Sequence, residues 1–96
     1  MMPLVWTRRA IEDLRTIRQF IAQDSPHYAL LVTQQLVASV ERLPAFPQSG
    51  RVVPEISDLA IREVIHGAYR IVYRLIHDEI HILMVHHAAR LLKIEP

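Results

Sequence analysis

Apolar side chains recur at two different periods along the chain, and the change of period divides it into a helical half and a β half. In the first half they return every three or four residues, which is the spacing of one face of an α-helix. The first helix begins after Thr7, whose hydroxyl is suited to cap it. Its apolar stripe consists of Ala10, Ile11, Leu14, Ile17, Phe20 and Ile21.

The second helix begins at Ser25-Pro26 and ends before Pro44, because proline at the first helical position is favoured and proline in a helix interior is not. Its stripe consists of Ala29, Val32, Leu36, Val40 and Leu43. We therefore expect a helical hairpin.

The second half predicts three strands. Segments rich in β-branched and aromatic residues cover 61–65, 69–76 and 80–87. Turns at Gly67-Ala68 and Asp78-Glu79 separate them, which is typical of an antiparallel meander. A short extended segment, 3–6, precedes the first helix. The predicted fold class is α+β in the order β-α-α-β-β-β, with the helical hairpin packed on a small antiparallel sheet. A chain this short fills one core, so we expect a single domain over residues 1–96.

The predicted turns set the strand register. A turn at Gly67-Ala68 places Glu63 opposite Val72 and diagonal to both Arg70 and Arg74, so the charges are complementary. A turn at Asp78-Glu79 places Arg70 opposite His87 on an exposed face. The pairs predicted on the core face are Leu75 with Ile82, Tyr73 with Met84 and Ile71 with His86.

The segment 44–60 predicts an ordered loop rather than a linker. It holds three prolines and one glycine, and four apolar side chains in it can anchor it to the domain. These are Phe46, Val52, Val53 and Ile56.

Composition narrows the class of protein. The chain is 51% hydrophobic and 22% charged, which is typical of a globular domain. It has no cysteine, which favours a reducing compartment and a cytoplasmic location. No apolar run approaches the roughly 20 residues needed to span a bilayer, so we expect no membrane association. With a net charge of +1 there is no strong field for non-specific nucleic-acid binding, although Lys93 is the only lysine among 11 basic residues.

Three apolar residues of the second helix lie off its core stripe: Leu30, Leu31 and Val37. Because the apolar fraction is high for a chain of this length, we expect a partner, such as an amphipathic helix, to cover them. The alternative is that they complete the core of the monomer or lie under the long loop.

A resemblance to a known family extends over nearly the whole chain. Its first part is carried by Trp6-Thr7, Ala10, Asp13-Leu14, Ile21, Asp24-Ser25-Pro26, Leu43, Phe46-Pro47 and Gly50-Arg51. Its second part is carried by Pro54-Glu55, Arg62-Glu63-Val64, the run from Tyr69 to Arg74, Ile82-Leu83 and Val85-His86. Together these residues resemble the ParE branch of the ParE/RelE toxin superfamily. The resemblance implies a toxin paired with a cognate antitoxin as a hetero-oligomer, without a cofactor.

The resemblance leaves two targets. ParE-like members poison DNA gyrase, whereas RelE-like and YoeB-like members cleave messenger RNA on the ribosome. RNA cleavage needs a base, an acid and cations around the phosphate, and candidates for these roles are Glu55, Arg70, Arg74 and His87. In YoeB-like nucleases an arginine on a similar strand and a histidine near the C-terminus do such work, and Arg70 with His86 or His87 match those positions.

Missing residues favour the gyrase class. No tyrosine follows Tyr73, whereas the RelE-like and YoeB-like patterns have a late tyrosine. We therefore expect a gyrase inhibitor that is not an enzyme, and the exposed arginines expected to contact the target are Arg51, Arg70, Arg74 and Arg90. A structural salt bridge between Arg70 and Glu63 is the alternative for Arg70. An inactive module that only binds an antitoxin also stays open.

A metal site is not expected. His86 and His87 are adjacent on a strand and point to opposite faces, while His81 and His87 share a face but are too far apart for one ion.

Overall fold

The computed structural model describes residues 1–88 of the chain as two helices packed on a five-stranded sheet. The elements are β1 Leu4–Trp6, α1 Arg8–Ala22, α2 Pro26–Ser39, β2 Arg51–Val52, β3 Ile61–His66, β4 Tyr69–Ile76 and β5 Glu79–His87. The helices contact each other, and α1 also packs against β5. The predicted α+β fold with a helical hairpin is confirmed.

Both helices begin where the sequence predicts. The Thr7 hydroxyl accepts a hydrogen bond from the Ala10 N–H at 3.2 Å, and the Ser25 hydroxyl accepts one from the Tyr28 N–H at 3.2 Å. The Thr7 hydroxyl also donates to the Ile82 carbonyl at 2.6 Å. This residue therefore ties the start of α1 to the sheet as well as capping the helix.

The predicted stripe of α2 is confirmed, but that of α1 is too wide. All five stripe residues of α2 and its C-terminal turn are buried. In α1, Ala10 is buried, whereas Ile11 is 44% exposed and Phe20 is 70% exposed. A helix turns by about 100° per residue, so Ile11 and Phe20 lie about 100° and about 80° to either side of Ala10. They flank the packed face instead of belonging to it.

The sheet has the strand order β1-β5-β4-β3-β2. The antiparallel meander of β3, β4 and β5 is confirmed. The sheet is nevertheless mixed, because β1 runs parallel to β5. The two-residue strand β2 adds an antiparallel neighbour to β3, and it is too short to produce a period in the sequence.

The predicted register between β3 and β4 is confirmed. Gly67 has a φ of 56°, as a tight hairpin turn requires, and Glu63 lies opposite Val72.

The predicted register between β4 and β5 is wrong. The turn consists of His77 and Asp78, whose φ values are 47° and 63°, and not of Asp78-Glu79. Positive φ at both central residues gives the twist that matches a hairpin. Leu75 consequently pairs with Ile80 rather than with Ile82.

A β-bulge changes the register again within β5. Tyr73 pairs with Ile82 while Val72 pairs with Met84, so Leu83 is the extra residue. The remaining predicted core pairs, Tyr73 with Met84 and Ile71 with His86, are therefore wrong too. Beyond the bulge, the observed pairs are Ile71 with Val85, Arg70 with His86 and Tyr69 with His87.

Both faces of the sheet carry a core. On the first face, the helices cover a large cluster that includes Leu36, Tyr73 and Ile82. On the second face, the loop between β2 and β3 covers a smaller cluster of Val53, Ile61, Val72 and Met84. The expectation of an exposed second face was wrong, because this loop folds over it.

The loop from 44 to 60 is ordered, as predicted, and two of its four predicted anchors are clear. Val53 is fully buried and Ile56 packs beside it, whereas Phe46 is 66% exposed. Arg62 adds polar anchoring, since its guanidinium donates to the Gly50 carbonyl at 3.0 Å and to further loop carbonyls.

Candidate functional site

A cluster of two arginines and two glutamates lies on the second face of the sheet. The Arg70 guanidinium donates from Nε to Glu63 at 2.6 Å and from its two terminal nitrogens to both oxygens of Glu55, at 2.6 and 2.8 Å. Arg51 donates from Nε to the other Glu63 oxygen at 2.5 Å. We call Arg51, Glu55, Glu63 and Arg70 the Arg70 cluster. Its formal charges cancel.

The strands and the loop each supply part of the Arg70 cluster. Glu63 lies opposite Val72, which makes it the diagonal neighbour of Arg70 on the same face. Arg51 on β2 is directly opposite Glu63. Glu55 comes from the loop that follows β2. The cluster therefore joins three strands and closes the loop over the sheet.

Because Arg70 and Glu63 are buried, their ion pair has a structural role in the fold. The Arg70 side chain is 7% exposed and that of Glu63 is 0% exposed, so neither has more than slight contact with solvent. The hydrogen bonds from Arg70 to Glu55 and to Glu63 raise the pKa of Arg70, although burial opposes this. The salt bridge between Arg70 and Glu63 that the sequence offered as an alternative is present.

A second contact holds the loop at Gly50. The Tyr73 hydroxyl accepts a hydrogen bond from the Gly50 N–H at 3.0 Å and donates to the Pro47 carbonyl at 2.7 Å. A Cβ at Gly50 would lie 2.6 Å from that hydroxyl oxygen. Burial raises the pKa of Tyr73. Sequence reasoning did not identify this contact, and the only signal for it was a glycine inside an otherwise ordered loop.

The residues considered for RNA cleavage do not come together. The loop does bring Glu55 to the sheet, where it binds Arg70. Arg74 lies on the same face as Arg70 but is exposed. His87 is opposite Tyr69, on the other face, and their rings make an edge contact with centroids 5.8 Å apart. The predicted pairing of Arg70 with His87 is wrong, because the shifted turn and the bulge change the register.

The arginines expected to contact a target differ in exposure. The Arg51 side chain is 56% exposed and Arg74 is exposed, whereas Arg70 is buried. Arg90 lies outside the described residues.

The three apolar residues expected to meet a partner are on the surface. Leu30, Leu31 and Val37 are between 38% and 40% exposed, and α2 contains no Asp, Glu, Lys or Arg. Leu30 and Val37 line a groove of about 470 Å³ together with Arg18 and Glu41.

Within residues 1–88, no three His, Asp or Glu side chains lie close enough to hold a metal ion. The bulge also separates His81 from His87, because they pair with residues on opposite faces. No helix in this part of the chain is long and apolar enough to cross a bilayer.

The helical hairpin on a five-stranded mixed sheet defines a class of small toxins from type II toxin-antitoxin systems. A structure described as a chromosomal ParDE toxin-antitoxin system from P. aeruginosa matches with a TM-score of 0.75 and 28% identity, over 91% of this chain and 96% of that one. The fold is also that of a chain in the RelBE2 toxin-antitoxin complex of Mycobacterium tuberculosis, with a TM-score of 0.56 and 22% identity, over 90% and 96% of the two chains.

Within this class, the chain belongs to the ParE toxin family. The family model for the ParE toxin of the type II toxin-antitoxin system, parDE, matches residues 4–92. The protein called Toxin RelE2 from Caulobacter vibrioides is 36% identical over 92 residues, which are 95% of this chain and 100% of that protein.

Proposed function

We propose that the protein inhibits DNA gyrase and is silenced by a cognate antitoxin. Membership of the ParE family supports gyrase as the target, since ParE-like members of the superfamily poison this enzyme. The observation that favours gyrase inhibition over RNA cleavage is the burial and pairing of Arg70. Its guanidinium is almost fully buried and is bound by two carboxylates.

A buried, doubly paired arginine is poorly suited to hold a scissile phosphate. To reach RNA, Arg70 would have to leave Glu63, which is fully buried. Removing one partner of a buried ion pair costs about 3–5 kcal/mol. The imidazole of His87 would also have to act from the opposite face of the sheet. Neither the cation nor the proton-transfer group is placed for attack by a 2′-hydroxyl.

The arginines best placed to contact gyrase are Arg51 and Arg74. Both expose their guanidinium groups on the second face, where planar donors can bind carboxylates or phosphates. Arg70 then acts indirectly, by holding Glu63 and the loop in position beneath this surface.

The antitoxin is proposed to cover α2. A surface helix without Asp, Glu, Lys or Arg is unusual, and here it exposes Leu30, Leu31 and Val37 together. Solved structures from a toxin-antitoxin system and from a toxin-antitoxin complex match this chain, which supports an antitoxin as partner. Leu30→Glu or Leu31→Glu should each abolish complex formation, because a buried unpaired carboxylate is costly at an interface. Unchanged affinity would exclude this surface.

Purified toxin added to DNA gyrase and relaxed plasmid tests the target. The expected result is loss of supercoiling or accumulation of cleaved DNA, reversed by the antitoxin. The same preparation added to translating ribosomes should leave messenger RNA intact. Cleavage of the RNA with no effect on gyrase would assign the chain to the nuclease class, and inactivity of folded protein in both assays would indicate a module that only binds its antitoxin.

A further inference from the structure

Arg51 offers a guanidinium on the second face of the sheet, yet its own strand holds it weakly. Strand β2 has two residues, and each pairs with one residue of β3. The Nε of Arg51 donates to Glu63, while 56% of the Arg51 side chain stays exposed. A two-residue edge strand forms few backbone hydrogen bonds, so the position of Arg51 depends on the residues beside it.

Two side chains hold the residue that precedes Arg51. The Tyr73 hydroxyl accepts the Gly50 N–H at 3.0 Å, and the Arg62 guanidinium donates to the Gly50 carbonyl at 3.0 Å. Both backbone polar groups of Gly50 are therefore bonded to side chains of the sheet. The Tyr73 hydroxyl also donates to the Pro47 carbonyl at 2.7 Å, so it holds the loop at a second point.

These two side chains lie on the opposite face of the sheet from that of Arg51. Arg62 and Tyr73 are directly paired across β3 and β4, and Tyr73 is fully buried in the first core. Arg51 pairs with Glu63, the next residue along β3, so its side chain projects on the second face. A contact on the helix-covered face can thus fix a guanidinium on the other face, because the Gly50 backbone connects the two.

We propose that Tyr73 and Arg62 are positioning residues for Arg51: they hold Gly50 so that the Arg51 guanidinium meets an oxyanion of the target in a fixed orientation. The inference rests on the proposed function, in which Arg51 contacts gyrase. A guanidinium binds a carboxylate or phosphate through a planar fork, so its orientation matters more than that of a point charge. Ordering one side chain before binding corresponds to about 2- to 12-fold in affinity.

The first measurement uses the free, isotope-labelled chain and needs no target. The backbone N–H of Arg51 should have an NMR order parameter of about 0.85 in the native chain, and the value should fall toward about 0.6 in Tyr73→Phe. Ile71→Val is the matched control, because it trims a fully buried core side chain without removing a hydrogen bond of the loop. It should leave the order parameter unchanged. Equal order of Arg51 in the native chain and in Tyr73→Phe would overturn the proposal.

The second measurement is the toxin concentration that halves supercoiling by gyrase. Tyr73→Phe should raise this concentration about 2- to 12-fold, and Ile71→Val should not raise it. The effect should require Arg51. In the Arg51→Ala background, Tyr73→Phe should cause no further loss, whereas a purely structural role would produce the same loss in both backgrounds.

The two measurements separate failure of the inference from failure of the proposed function. A native chain without effect on gyrase would contradict the proposed function, and the order parameters would still show whether Tyr73 positions Arg51. Inhibition by the native chain, with equal loss from Tyr73→Phe in both backgrounds, would overturn the inference alone. Arg62→Gln, which keeps the Tyr73 contact, should give the same two results and replaces Tyr73→Phe if that variant does not fold.

Discussion

Replacing Arg70 with alanine is expected to destabilise the fold by about 3 kcal/mol, near the lower end of the range of about 3–5 kcal/mol for removing one partner of a buried ion pair. The loss arises because Glu63 is fully buried and would lose its hydrogen-bonded partner Arg70. The lower end applies because Arg51 still donates to Glu63 at 2.5 Å. Glu55 contributes less to the penalty, since its side chain is 28% exposed and can be hydrated.

Urea and thermal unfolding at neutral pH measure this loss. In a domain of this size 1 kcal/mol corresponds to about 4–8 °C, so the Tm should fall by about 12–24 °C. Arg74→Ala is the matched control, because Arg74 lies four residues along the same strand and on the same face but is exposed. It should change stability by less than about 0.5 kcal/mol. Equal stability of the two variants would refute the role assigned to the Arg70 cluster.

A double substitution tests the physical cause. Arg70→Met combined with Glu63→Leu removes both buried charges and fills similar volumes, so most of the stability lost in Arg70→Ala should return. A double variant less stable than Arg70→Ala would show that leaving Glu63 unpaired is not the cause of the loss.

Three further predictions concern the loop and the helix surface. Burial raises the pKa of Tyr73, so the neutral phenol contributes stability to the folded state. This stability is lost as pH rises above about 10, toward the higher pKa of the folded state. Urea unfolding from about pH 7 to about pH 11 should show this loss in the native chain and not in Tyr73→Phe. Gly50→Ala should lower the free energy of unfolding by about 1–3 kcal/mol, because the added Cβ lies 2.6 Å from the Tyr73 hydroxyl oxygen. Gly67→Asn is the control: it lies at an open position with a φ of 56° and should unfold at nearly the native temperature. Val37→Glu should prevent co-purification with the antitoxin. Leu59→Glu should not, although Leu59 is 74% exposed. Equal behaviour of the two variants would argue against α2 as the interface.

Features that depend on residues close together in the sequence could be predicted from it. The caps at Thr7 and Ser25 and the buried stripe of α2 follow from local chemistry and helical period. The register of β3 and β4 follows from Gly67, because the turn there has one favourable position.

The register of β5 could not be predicted in the same way. His77-Asp78 and Asp78-Glu79 are both polar dipeptides, and the choice between them depends on the twist of the completed hairpin. The bulge at Leu83 depends on tertiary packing, since it lets Met84 enter the second core and Val85 the first. These long-range effects separate His87 from Arg70.

The Arg70 cluster shows why a residue pattern can identify partners without identifying a role. The spacing of Glu63 and Arg70 predicts their contact, but their burial depends on Glu55 and a loop whose path the sequence does not specify. If Arg70→Ala abolishes toxicity, the loss can therefore come from the fold alone. Arg74→Ala carries no such ambiguity, because Arg74 is exposed. Loss of gyrase inhibition in Arg74→Ala, with native stability and intact antitoxin binding, would assign the second face of the sheet to target recognition. Full inhibition by Arg74→Ala would leave Arg51, the exposed guanidinium of the Arg70 cluster, as the arginine to test on this face. Arg51→Lys would retain the positive charge beside Glu63 while removing the planar donor group.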